Sequence, residues 1–143
     1  MKINDVIKGK ASQSVITIPP AATVRELLAL LAEHNIGAVV VSADGNTVDG
    51  IVSERDVVRK LLGDDAVLDG PVEQIMTATV RTCEPDHDLD ELMGQMTEHR
   101  IRHVPVIDGG RLVGVISIGD VVKSRITQLT FERDQLDSYV HQT

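Results

Sequence analysis

The sequence predicts a mixed α/β (α+β) chain: two β-α-β-β-α repeats packed pseudo-symmetrically, then an extended C-terminal helix. Three observations predict it. Residues 17–41 align without gaps to residues 82–106, and nine of those 25 positions are identical. After a loop one residue shorter in the second copy, residues 50–58 align to 114–122 with five of nine positions identical. Beyond the second copy, apolar residues continue at helical spacing. A repeat this short is one supersecondary unit that cannot bury its apolar face alone, so two copies stack sheet to sheet.

Each copy opens with a short strand, 15–18 or 80–83, that leads into a proline turn at Pro20 or Pro85. A helix follows, opened by a capping box: Thr23 with Glu26, and Asp88 with Glu91. In such a box the cap side chain takes an orphan backbone N–H and the acid reaches back to the cap's own N–H. Val24, Leu27, Leu28 and Leu31, matched by Leu89, Leu92, Met93 and Met96, form one apolar stripe. A hairpin is next. Strands 38–41 and 48–52 flank Asp44-Gly45-Asn46, and strands 104–107 and 112–116 flank Asp108-Gly109-Gly110. The repeat closes with a helix over 54–62, or from Ile118 onward. The expected domains are 1–63 and 72–126, with a linker at 64–71 and a helical tail at 127–143. A weak echo also precedes each copy: residues 3–7 resemble residues 72–76. In the tail, Ile126, Leu129, Leu136 and Val140 recur near every 3.5 residues, with Arg133 interrupting the row. That face is expected to pack on the chain's own body or on a second copy.

Composition narrows the function. The net charge of −8 argues against wholesale nucleic-acid binding, which needs Lys and Arg against phosphates. The only aromatics are Phe131 and Tyr139, so the body has no platform for stacking bases. The apolar run at 36–41 is far shorter than the roughly 20 residues of a membrane span. A single cysteine, Cys83, and no targeting signal point to a cytoplasmic protein. Cys83 reads as a buried small residue, and His34 and His99 as helix-end partners of the dipole. His87 is isolated, no metal-ligand spacing occurs, and no nucleophile or phosphate-loop motif is present. Neither a metal site nor an enzyme is expected.

The doubled motif carries the chemistry. Gly50-Ile51-Val52-Ser53-Glu54-Arg55-Asp56 and Gly114-Val115-Ile116-Ser117-Ile118-Gly119-Asp120 both read Gly-apolar-apolar-Ser-x-x-Asp where a strand runs into a helix. Unpaired N–H groups at a helix start suit an anion, and glycine lets a ligand approach the backbone. An Asp in the first turn can accept from both hydroxyls of a ribose. Ser-x-x-Asp is equally a helix cap in its own right. One motif alone favours the cap, whereas two at equivalent positions favour a site, and the two roles are compatible.

These motifs, with Ile36-Gly37-Ala38-Val39-Val40-Val41 and Ile101-Arg102-His103-Val104-Pro105-Val106, resemble tandem cystathionine-β-synthase (CBS) domains. That paired arrangement is called a Bateman module. The chain is similar to small stand-alone bacterial CBS-pair proteins, and the resemblance extends to about Ile126. It implies two clefts between the repeats that bind an adenosyl ligand: AMP, ADP or ATP foremost, NAD(H) or S-adenosylmethionine next. No catalytic cofactor is implied. Asp56 and Asp120 would hold ribose, with Ser53 and Ser117 near ribose or phosphate. Arg55, Arg102 and His103 would face phosphate. Val15, Ile16, Ile36, Gly37, Ala38, Thr79, Val80, Ile101, Val104 and Pro105 would wall the adenine. The resemblance implies an energy or metabolite sensor, a homodimer, and an as yet unidentified protein target. The alternative is a structural dimerisation protein with vestigial clefts.

Overall fold

In the computed structural model, residues 1–9 and 15–141 are described; residues 142–143 of the expected tail lie outside them. The first repeat runs β1 (Thr17–Ile18), α2 (Val24–His34), β2 (Ala38–Val41), β3 (Gly50–Ser53) and α3 (Glu54–Leu61). It is preceded by a short helix, α1 (Ile3–Lys8). The second runs α4 (Leu89–His99), β4 (His103–Asp108), β5 (Arg111–Ser117) and α5 (Ile118–His141). In the first sheet β1 pairs parallel to β2, and β2 antiparallel to β3. In the second, β4 and β5 form an antiparallel hairpin. Its two-residue turn, Gly109-Gly110, has φ of 58° and 81°, the left-handed pair that matches strand twist. The longer first hairpin turn is tied by Asp44, whose Oδ1 accepts from the Asn46 and Thr47 N–H groups at 2.8 and 2.9 Å.

Two expected elements differ. The strand expected at 80–83 contracts to one parallel bridge between Cys83 and Val106. The Cys83 N–H donates to Pro105 at 3.0 Å, and the Ile107 N–H donates to Cys83 at 2.8 Å. The first copy loses the same half, for β1 begins only at Thr17. In both copies the leading residues leave the ladder to face a cleft. The capping box expected at Asp88 is also absent: Asp88 is the N-cap, but its side chain makes no cap bond. The Leu89 N–H donates to the Met1 carbonyl at 3.0 Å, as the Val24 N–H does to that of Gly70 at 3.0 Å. Thr23 and Glu26 do form the reciprocal box.

The echo before each copy accounts for both of these backbone bonds, because the echo segments are exchanged. In the second core, Ile3 and Val6 of α1 pack with Leu89, Leu92, Val104 and Ile116. Val72 and Ile75 pack in the first core with Leu27, Val39 and Val52. The backbone bonds match pairwise. The Ile3 and Asn4 N–H groups donate to His87 and Pro85, while those of Val72 and Glu73 donate to the equivalent Ala22 and Pro20. The stretch expected as linker, 64–71, is therefore structured. A 3-10 turn at Asp65–Asp69 lies against the first core with Val67 and Leu68.

Gly50 follows from the exchange. A Cβ there would lie 2.5 Å from Met76 Sδ and 2.9 Å from the Thr77 carbonyl oxygen. The space expected for a ligand is filled by the exchanged segment. Both sides of the central strands are covered: Val39 and Val41 face their helices, while Ala38 and Val40 on the opposite side are also buried. The tail does not pack on the body. Arg125 pairs with Asp90 at 3.2 Å, and every residue from Leu129 to His141 is exposed.

Candidate functional site

Each Ser-x-x-Asp motif forms a closed cap. The Ser53 N–H and Oγ donate to Asp56 Oδ2 at 2.8 and 3.0 Å, and the Asp56 N–H donates to Ser53 Oγ at 3.3 Å. The Ser117 N–H donates to Asp120 Oδ2 at 2.9 Å, and the Asp120 N–H returns to Ser117 Oγ at 3.0 Å. All the accepted bonds at Asp56 fall on Oδ2, so Oδ1 keeps its acceptor sites for a ligand hydroxyl. At Asp56 the cap therefore occupies one carboxylate oxygen and leaves the other facing no protein donor among the described residues.

The helix starts are less open than the motif suggests. The Glu54 N–H donates to the Gly37 carbonyl at 3.0 Å, and the Ile118 N–H to that of Arg102 at 2.8 Å. With the Asp56 and Asp120 N–H groups also taken, little of either helix start is left for an anion. An anion at either helix start would have to be held by side chains.

Two clefts lie between the repeats. The Asp56 cleft, about 410 Å³, joins Ser53, Arg55 and Asp56 of the first repeat to Thr79, Val80, Ile101, Arg102 and His103 of the second. The Asp120 cleft, about 460 Å³, joins Ser117 and Asp120 to Val15, Ile16 and Ile36 of the first repeat. Gly37, Ala38 and His103 line both. Every expected site residue thus lines a cleft except two. Val104 is buried in the second core and Pro105 is buried beside it, so neither reaches the cleft surface.

A family model for the CBS domain matches twice, over residues 3–63 and 72–126. The chain belongs to the CBS domain family. A protein with CBS domains from Burkholderia ambifaria superposes with a TM-score of 0.83 at 44% identity, covering 89% of this chain and 95% of that one. The CBS domain protein PAE2072 from Pyrobaculum aerophilum, complexed with AMP, gives 0.72 at 30% identity over 84% and 89%. The CBS domain pair of protein MJ0100, in complex with 5′-methylthioadenosine and S-adenosyl-L-methionine, gives 0.77 at 25% over 90% and 98%.

In this CBS pair, sequence reading missed part of the lining. Arg59, Arg81, Arg100 and His99 also line the Asp56 cleft, and His34 and Asn35 the Asp120 cleft. The two histidines end α2 and α4, as expected of helix-end residues, yet they face the clefts as well. The repeat alignment held the missing signal. Arg81 and Arg100 are equivalent to Ile16 and Asn35, which line the other cleft. Among the described residues no helix is long and apolar enough to cross a membrane.

Proposed function

We propose that this CBS pair is a stand-alone regulatory module that binds adenosine-containing ligands between its repeats and acts as an energy or metabolite sensor. One observation carries the reading: each cleft sets a Ser-x-x-Asp cap from one repeat against aliphatic side chains of the other, Val80 and Ile101 at Asp56 and Val15, Ile16 and Ile36 at Asp120. The carboxylate suits ribose hydroxyls, and the wall suits a purine face without aromatic stacking. Relatives complexed with AMP and with S-adenosylmethionine support this ligand class. AMP, ADP and ATP are the foremost candidates here. The ligand leaves unchanged, since the module senses and does not turn over. Signalling then requires different affinities in two states of the module or its partner.

A thermal-shift screen against AMP, ADP, ATP, NAD, NADH and S-adenosylmethionine, with GMP as control, tests the reading. A ligand at 100 times its Kd adds about 2.7 kcal/mol, a shift of several degrees. Stabilisation by adenosyl compounds and not by GMP is expected. No shift with any of them would favour a structural dimerisation protein with vestigial clefts. The exposed tail supports a homodimer in either case, for Ile126, Leu129, Leu136 and Val140 are each more than half exposed. Sedimentation of the full chain and of one ending at Ser124 separates tail-borne pairing from pairing elsewhere. A cytoplasmic location completes the proposal.

A further inference from the structure

The two clefts are alike in cap and wall and opposite in charge. Arg55, Arg59, Arg81, Arg100 and Arg102 line the Asp56 cleft against only Glu54 and Asp56, a formal charge of +3 in a chain of −8. Among the described residues none of the five arginines makes an ion pair. All five are exposed and outnumber the two carboxylates of the lining, so a polyanion entering this cleft meets a net positive wall. A further hollow of about 310 Å³ adjoins this cleft and shares Arg55, Arg100 and Arg102 with it.

Arg100 adds a separate observation. It ends α4 in the left-handed region, at φ 55° and ψ 40°. The equivalent residue, Asn35 at φ 52°, is of a type that tolerates this backbone, whereas Arg is not. A strained backbone kept at a cleft points to a use for the side chain it carries.

The Asp120 cleft lacks every one of these groups. Its equivalents of Arg81, Arg100 and Arg102 are Ile16, Asn35 and Gly37, and its ionisable lining is His34, His103 and Asp120. A phosphate chain there would meet Asp120 with no arginine to offset it.

We propose that the Asp56 cleft is a polyphosphate site, taking an adenine nucleotide with two or more phosphates, and that the Asp120 cleft takes a phosphate-free adenosine derivative. The module then reads two ligands of different charge at once. This rests on the adenosyl reading above.

Calorimetric titration of the full chain with adenosine, AMP, ADP and ATP tests it, on wild type, Asp56→Asn and Asp120→Asn. Asn keeps a cap acceptor and removes the charge, and circular dichroism verifies the fold. At the cleft that survives in Asp120→Asn, affinity rises about tenfold or more from AMP to ATP and weakens with salt. At the one that survives in Asp56→Asn, adenosine binds at least as well as ATP. The Arg55→Gln/Arg100→Asn/Arg102→Gln variant flattens the phosphate series, bringing ATP affinity at this cleft down towards that of AMP. Equal ATP affinity in the two Asn variants, or a flat series in the wild type, overturns the charge assignment alone. Absence of binding by all four compounds overturns the adenosyl reading and this proposal with it.

Discussion

Replacing Arg100 with Gly should make the protein more stable and a poorer ATP binder. A side chain in the left-handed region costs about 1–2 kcal/mol, and at φ 55° Arg100 bears that cost. Glycine removes it but adds about 0.5–1 kcal/mol of freedom to the unfolded chain. The net gain is about 0.5–1 kcal/mol, about 2–4 °C in melting temperature at this chain length. The bond from the Arg100 N–H to the Met96 carbonyl survives, since it is backbone. A charge-assisted contact to phosphate is worth about 1.5–3 kcal/mol when shielded. Arg100 is exposed, so solvent trims this to about 1 kcal/mol, roughly fivefold in Kd. Calorimetric melting of the free protein and titration with ATP read the two effects separately. A lower melting temperature would refute the strain argument. A higher one with unchanged ATP affinity would refute the role of the side chain.

Gly50→Ala should cost about 1–3 kcal/mol in urea denaturation, because the new methyl meets Met76 and the Thr77 backbone. At the equivalent Gly114 the nearest atom is Ile7 Cδ1 at 3.5 Å, so Ala there should cost less than half as much. Ile3→Ala should cost about 2–5 kcal/mol, since Ile3 is fully buried in the second core. Hydrogen exchange in that variant should rise first in β4 and β5, not in β2 and β3. Burial pushes the Cys83 thiol up from its ordinary 9.0 to about 11. The folded state therefore holds this proton more tightly than the unfolded one. Its contribution is complete below pH 9 and lost as pH rises towards 11. Alkylation at neutral pH should accordingly require denaturant; fast labelling of the native protein would contradict the burial.

Much of the fold was legible because repetition doubles each signal. The Thr23 box, the Gly109-Gly110 turn and the stripe from Val24 to Leu31 depend on local chemistry, and local chemistry reads out directly. The first strands did not read out. At 80–83 β-branched residues suit a ladder, but only Cys83 has a partner, and pairing is a property of the neighbour. Asp88 did not read out either: it is the N-cap its sequence suggests, yet its side chain makes no cap bond, while Thr23 in the same setting forms the full box. At the site, Asp56, Asp120 and the two serines were legible as a motif. Arg59, Arg81 and Arg100 belong to no motif, and Arg81 and Arg100 reach the Asp56 cleft only because it mixes both repeats. Their meaning depends on which repeat supplies which wall, and the sequence does not encode that at any one residue.

The exchanged segments settle how one repeat would behave by itself. Released from its twin, the first repeat would keep an empty groove beside Gly50 and carry Ile3 and Val6 with nowhere to bury them. Two identical copies could satisfy each other, but only by association, and their persistence would fall on dilution. Joined in one polypeptide, the partner is always present. Mass action no longer enters, so the shape of both clefts is independent of how much protein the cell makes.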